Sequence, residues 1–138
     1  MIQPFHIAIP VKSIENSIPF YKNVLNCKQG KRLDNLVVFN FFGHLLVLHE
    51  KKEFQQPKQL TNLVNGNHVP VPHFGMVLDW NDWHNLIDKL KALNTKFVIA
   101  PHTIHKGKIN EQATVFFNDF EGNTLEFKTF KNSNQLFL

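Results

Sequence analysis

Phe5-His6-Ile7-Ala8-Ile9-Pro10-Val11 and His73-Phe74-Gly75-Met76-Val77-Leu78 are the two stretches on which the fold turns. Each alternates bulky apolar residues with small or polar ones, the period expected of a strand with one buried face. The segments downstream of the two stretches are also similar. After the first, Ile14, Ile18, Tyr21, Val24 and Leu25 fall along one face at helical spacing. Ser13 or Ser17 can cap that helix, because a short hydroxyl side chain accepts a hydrogen bond from an unpaired N–H of the first turn. Pro19 is then expected in the first turn, where its missing N–H costs nothing. After the second stretch, Asn81 or Asp82 can cap a helix carrying Trp83, Leu86, Ile87, Leu90 and Leu93.

Working outward, Leu36–Phe41 and Leu45–His49 read as two strands joined by a turn around Phe42-Gly43-His44. In the second half, Lys96 to Ile99 is a short strand ended by Pro101. Ala113–Phe117 and Thr124–Lys128 form a closing hairpin over Asp119-Phe120-Glu121-Gly122-Asn123. Superposing the halves sets His6 on His73, Leu25 on Leu93 and Gly43 on Gly122. Such self-similarity suggests paired supersecondary units, each too small to bury its own face. The expected organisation is one domain: a first module over 1–50, a linker over 51–72, a second module over 73–130 and a tail over 131–138. The connector Glu50–Pro72 is long and polar with little regular pattern, in keeping with a lid or a partner contact.

Strand parity tests whether any polar residues converge, since side chains alternate faces. Ile7, Ile9 and Val11 share one face, while His6, Ala8 and Pro10 share the other. Phe74, Met76 and Leu78 oppose His73, Gly75 and Val77, and Leu125 and Phe127 oppose Thr124, Glu126 and Lys128. The bulky faces belong beneath the helices, which sends His6, His73 and Glu126 to the opposite face. Two imidazoles and one carboxylate form a facial triad suited to Fe(II), Mn(II) and similar divalent ions, with positions left open for substrate or oxygen. The blander reading has both imidazoles hydrogen-bonded at strand ends and Glu126 paired with a cation. Gly75, beside the second His, is consistent with space kept clear or with a β-bulge. The counterpart of Glu126 in the first half is Val47, which cannot bind a metal, unless His49, on the same face, takes its place.

Composition narrows the function classes. The formal charge is +4, but the Lys residues are scattered, so the basic stripe of a nucleic-acid binder is absent. One cysteine, Cys27, allows neither an internal disulfide nor a cysteine-based zinc cage within one chain. The N-terminus lacks the features of a secretory signal, and no apolar run is long enough to span a bilayer. The expectation is a cytoplasmic protein with a small-molecule substrate and neither nucleic-acid nor membrane partners.

With these residues in place, the sequence resembles the vicinal oxygen chelate superfamily, which includes glyoxalase I, bleomycin-resistance proteins and extradiol dioxygenases. The resemblance covers nearly the whole chain. Its carriers are Phe5–Val11, Phe20-Tyr21-Lys22-Asn23-Val24-Leu25, and Phe116-Phe117-Asn118-Asp119-Phe120-Glu121-Gly122-Asn123-Thr124-Leu125-Glu126-Phe127. Within the superfamily, the chain resembles small proteins described as predicted extradiol-type dioxygenases. That likeness lies in Phe39-Asn40-Phe41-Phe42-Gly43-His44, Val69-Pro70-Val71-Pro72-His73-Phe74-Gly75 and Glu111-Gln112-Ala113-Thr114.

The resemblance implies an α+β fold of paired βαβββ modules, a curved mixed sheet or half-barrel with a metal site in its concave face. The superfamily's ligand positions carry onto His6, His73 and Glu126, the residues reached by parity. Val47 departs from the four-ligand pattern of glyoxalase I and favours a three-ligand class. Phe120 stands where the superfamily turn usually has Pro. The implied activity is a metal-dependent, extradiol-type ring-cleaving dioxygenase using Fe(II), with Mn(II) or another ion also possible. Other superfamily activities (transferase, epimerase, glyoxalase-type lyase) and non-catalytic drug binding stand as alternatives. His49 is the first candidate for the proton-transfer residue, since its ordinary pKa lies near neutrality. His102 and Gln112 are candidates for substrate binding at the cavity rim. His44 is assigned to a turn, His84 to an exposed helix face, and His68 and His105 to loops. Related chains of one module pair usually associate, so a homodimer is expected.

Overall fold

Two runs of the same element order, strand–helix–three strands, organise the chain as its repeat suggests. The computed structural model describes residues 2–138 and divides into two compact units. The first runs to Pro57 and includes Asp119–Gly122; the second comprises Lys58–Asn118 and Asn123–Leu138.

In the first unit, β1 (His6–Val11) leads into α1 (Ile14–Pro19) and a π-helical segment, Phe20–Val24. β2 (Lys28–Leu33), β3 (Leu36–Phe41) and β4 (His44–Glu50) complete the unit. The sheet order is β1-β4-β3-β2, with β1 parallel to β4 and the other pairs antiparallel. Ser13 is the cap: its hydroxyl accepts from Asn16 N at 3.1 Å. That start places Pro19 beyond the first turn, which corrects the expectation. Lacking an N–H and crowding the carbonyl four residues back, proline cannot sustain α geometry. The chain widens after it, and Leu25 N donates to Phe20 O, five residues back. The strand β2 escaped the sequence reading because Lys28–Leu33 is a largely polar, exposed edge with no alternation to detect. His44 opens β4 instead of sitting in the turn, and its Nδ1 accepts from Phe5 N at 2.8 Å. The core gathers Val11, Ile14, Tyr21, Val37, Phe39 and Leu46, all fully buried. The Asp119–Gly122 turn joins this unit through Tyr21, whose buried hydroxyl donates to Asp119 Oδ2 at 2.7 Å.

The second unit repeats the topology. β7 (Phe74–Val77), α2 (Trp80–Ala92), β8 (Phe97–Ile104), β9 (Gln112–Asn118) and β10 (Thr124–Phe130) build a sheet ordered β7-β10-β9-β8. Again the first and last strands pair in parallel. The N-cap position of α2 is Asp79, earlier than the expected Asn81 or Asp82, and its side chain makes no capping bond. Trp83, Ile87 and Leu90 of α2 are buried, and the Trp83 indole donates to Phe127 O at 2.8 Å. The strand expected to stop at Pro101 runs on to Ile104. A register shift between Ile99 and His102 absorbs the proline.

The connector is also more regular than expected. β5 (Leu60–Val64) and β6 (Asn67–Val71) form an antiparallel hairpin. Both residues of its two-residue turn, Asn65 and Gly66, have positive φ, the hairpin-turn chemistry that an Asn-Gly pair favours. His68 therefore lies in a strand and not in a loop.

Candidate metal and substrate site

Burial on one face of β10 fixes what the other face presents. Leu125 and Phe127 are fully buried, and Phe127 stacks on Phe117 with ring centroids 5.6 Å apart. A one-residue slip would expose both apolar side chains at a cost of roughly 3–6 kcal/mol. Glu126 and Lys128 are thereby held on the opposite face, as parity requires. There Glu126 lies beside Gly75 of β7 and Phe116 of β9 in the register.

His73 sits immediately before β7, and its Nε2 is 3.2 Å from Glu126 Oε1. Its Nδ1 lies 2.6 Å from Pro70 O, and the acceptor-only carbonyl requires that Nδ1 carry the proton and donate. The Nε2 lone pair is thus left for an ion, or a second proton for Glu126. Thr114 Oγ1 donates to the other carboxylate oxygen, Oε2, at 2.6 Å, and Lys128 Nζ stands 3.8 Å from it. The hydrogen bond that protonated His73 donates to Glu126 raises the His73 pKa above its ordinary value, against the opposing effect of partial burial. Burial alone would push the Glu126 carboxyl up, but hydrogen bonds from His73 and Thr114 outweigh it and hold the pKa below its ordinary value.

The donor set suits a divalent cation. A separation of 3.2 Å is at the long end for an N–H···O hydrogen bond, and falls within the about 3.0–3.4 Å between two donors that share an ion at about 2.1 Å. The backbone carbonyl behind His73 and the hydroxyl behind Glu126 are the outer partners that metal ligands commonly have. Among the described residues no group of three His, Cys, Asp or Glu side chains is arranged to hold an ion. The structure brings His73 and Glu126 together in the second unit; His6 is exposed at the start of β1 in the first unit. His6 shares a sheet face with Ala8, Val47 and His49, as the register of β1 against β4 shows.

The His73–Glu126 pair opens into a cavity of about 320 Å³ within the second unit. Its sheet wall includes Ile99, Thr114 and Phe116, while Asn62, Val69 and Val71 of the β5–β6 hairpin contribute the facing wall. His102 and Gln112, expected at a cavity rim, both line it, and His102 Nδ1 donates to Ala100 O at 2.9 Å. His84, expected on an exposed helix face, is exposed on α2. Sequence reasoning missed Thr114 and the hairpin. Thr114 carries a readable parity signal, since its neighbours Ala113 and Val115 are apolar; Asn65-Gly66 was the signal for the hairpin.

Comparison with known proteins agrees with the repeated topology of the fold. Residues 3–127 match the family model of the glyoxalase/bleomycin resistance protein/dioxygenase superfamily. A glyoxalase/bleomycin resistance protein/dioxygenase from Alicyclobacillus acidocaldarius is similar with 26% identity and a TM-score of 0.78, over 98% of this chain and 96% of that one. The genomically encoded fosfomycin resistance protein of Listeria monocytogenes shares the fold at 17% identity and a TM-score of 0.71, covering 98% and 99% of the two chains. Lactoylglutathione lyase from Agrobacterium tumefaciens does so at 18% identity and a TM-score of 0.64, covering 94% of each. The repeated βαβββ topology and the match across both repeats lead to one conclusion: the chain belongs to the glyoxalase/bleomycin resistance protein/dioxygenase superfamily, the vicinal oxygen chelate proteins.

Proposed function

We propose that the protein is a metal-dependent enzyme acting on a small molecule with two adjacent oxygens, and that its reaction is extradiol-type ring cleavage with Fe(II). The observation that carries this reading is the His73–Glu126 pair, with Nδ1 of His73 tied to the Pro70 carbonyl and Glu126 steadied by Thr114. His6 is the proposed third ligand, supplied by the same chain or by a second copy in a homodimer. A bound divalent ion would supply Lewis acidity and, as Fe(II), electron transfer to dioxygen.

The chain's own residues would do the rest. Phe116 and Ile99 would cover an aromatic ring and exclude water, and Gln112 would orient a substrate oxygen. His102 shares the cavity, and with its Nδ1 bonded to Ala100 O it joins His49 as a candidate for proton transfer through Nε2. Mn(II) or another ion in a transferase or epimerase, and metal-free sequestration of a drug-like molecule, are the competing outcomes of the test.

The test begins with elemental analysis of freshly purified protein, followed by anaerobic loading with each divalent metal. Loaded protein is then given a panel of catechols and air. A yellow ring-fission product with stoichiometric O₂ uptake is expected with Fe(II) and not with Mg(II). Saturating iron without O₂ uptake across the panel would remove the dioxygenase reading, and tight ligand binding indifferent to metal would favour sequestration. Mixing His6→Ala with Glu126→Ala subunits restores activity only if the ligands come from two chains.

A further inference from the structure

The register of the second sheet places a second polar row beside the one that holds Glu126. On β10, Glu126 and Lys128 share a face, two residues apart. Across the sheet Lys128 is opposite Thr114 of β9, and Thr114 is opposite His102 of β8. Directly opposed side chains in antiparallel strands stand roughly 4.5–5.5 Å apart at Cβ, close enough to act on one ligand group. All three residues line the cavity. Among the described residues, Lys128 is the only Lys or Arg in that lining, and Asn62, Asn67 and Gln112 add carboxamide donors to the same space.

Lys128 is not consumed by its contact with Glu126. Its Nζ stands 3.8 Å from Oε2, beyond hydrogen-bond length, while Thr114 takes that oxygen at 2.6 Å and His73 faces the other. An ammonium has three donors, and the Lys128 side chain is 34% exposed, enough to meet a ligand in the cavity. The Phe130 ring, 5.7 Å from Nζ, holds the cation on this face. A cation whose ion-pair partner stands beyond hydrogen-bond length, beside carboxamides in a cavity also lined by Val69, Val71, Ile99 and Phe116, is built to receive an oxyanion on an apolar body.

We propose that Lys128 is a specificity-determining residue that binds a carboxylate or phosphonate group of the substrate, one strand row away from the adjacent oxygens held near Glu126. This rests on the proposed chelation at His73 and Glu126, and it narrows the substrate to an anionic molecule. Two residues along a strand span roughly 6.6 Å, so the anionic group would lie about that far from the chelated pair. A benzene ring with two adjacent hydroxyls and a carboxylate opposite one of them has those proportions.

The probes are catechol, 3,4-dihydroxybenzoate, 3,4-dihydroxyphenylphosphonate and benzoate, titrated calorimetrically into Mn(II)-loaded protein without turnover. The wild type is compared with Lys128→Met, Lys128→Gln and Lys128→Arg, each checked for an unchanged melting profile. The expected result is that 3,4-dihydroxybenzoate or the phosphonate binds at least tenfold more tightly than catechol. That preference should fall ~10- to 100-fold in Lys128→Met and Lys128→Gln and survive largely in Lys128→Arg. Whichever of the two anionic diols binds more tightly identifies the oxyanion.

An anion preference that is absent, or the same in wild type and Lys128→Met, would overturn the proposal while leaving catechol chelation standing. If catechol fails to bind yet benzoate binding depends on Lys128, the chelation reading falls and the anion subsite survives. Failure of all four probes to bind would overturn both.

Discussion

Gly75 lies against the backbone of Glu126 so closely that a β-carbon at Gly75 would meet the Glu126 carbonyl oxygen at 1.7 Å. The sequence left two explanations open for this glycine, cleared space in a cavity or a bulge. The close approach supplies another: the parallel pairing of β7 with β10 at this register needs a residue without a side chain. Gly75→Ala must therefore push the two strands apart, and with them His73 from Glu126. The expected loss is about 3 kcal/mol in urea unfolding, at the upper end for overpacking, with metal affinity reduced at least tenfold. Normal stability and normal metal titration in Gly75→Ala would contradict the geometry.

Thr114 acts on the site through the carboxylate. Its hydroxyl occupies Glu126 Oε2, leaving Oε1 for His73 or an ion. Thr114→Val keeps the shape and deletes the donor, and should lower metal affinity ~10- to 100-fold, as removal of outer-shell partners does. Thr114→Ser should retain most of the affinity. Equal losses in both variants would point to packing as the cause.

In metal-free protein the His73–Glu126 pair makes stability depend on pH in a bounded way. The imidazole pKa is raised above 6.5, so its contribution is complete below that value and fades as pH climbs through the folded pKa. The carboxyl pKa is lowered below 4.5, so its contribution is complete above that value and fades as pH falls through the folded pKa. The plateau thus lies between 4.5 and 6.5. Urea midpoints measured within this range and on both sides of it, with chelator present, should show the plateau and its limbs, and Glu126→Gln should flatten both limbs.

Tyr21 ties the core of the first unit to the Asp119–Gly122 turn. Its hydroxyl is fully buried, and burial, reinforced by the Asp119 charge, pushes the phenol pKa well above its ordinary value. Tyr21→Phe removes one donor from a buried carboxylate and should cost about 1–3 kcal/mol. Thermal unfolding against the wild type would measure it. A change within error would mean that Asp119 finds another donor.

Thr129 offers the opposite sign. Its Oγ1 is buried without a hydrogen-bond partner among the described residues. Thr129→Val exchanges that hydroxyl for a methyl group of similar shape and should stabilise the protein by about 1 kcal/mol, visible as a raised urea midpoint. Destabilisation would show that the hydroxyl is satisfied in solution.

Local periodicity accounts for the features legible in the chain itself. The repeat of strand and helix, and the parity that buries Leu125 and Phe127 while turning Glu126 outward, depend on residues a few positions apart. The same is true of the Ser13 cap and of Gly43 and Gly122, whose positive φ values serve equivalent turns before β4 and β10. Edge strand β2 left no such trace, because a polar strand with both faces wet carries no pattern. Pro101 misled because a register shift can carry a strand past a proline, and that shift is a property of the neighbouring strand as well.

Sequence periodicity was enough for the repeated strand–helix order and for the strand face on which each candidate ligand stands, because burial imposes a period on the strands and helices that pack against the core. The folded chain supplied the partners: the Pro70 carbonyl behind His73, the Thr114 hydroxyl on Glu126, the glycine contact at β7 and the hairpin wall of the cavity. Those are meetings between residues on different strands and turns, fixed by register and close approach, and no spacing along the chain records them.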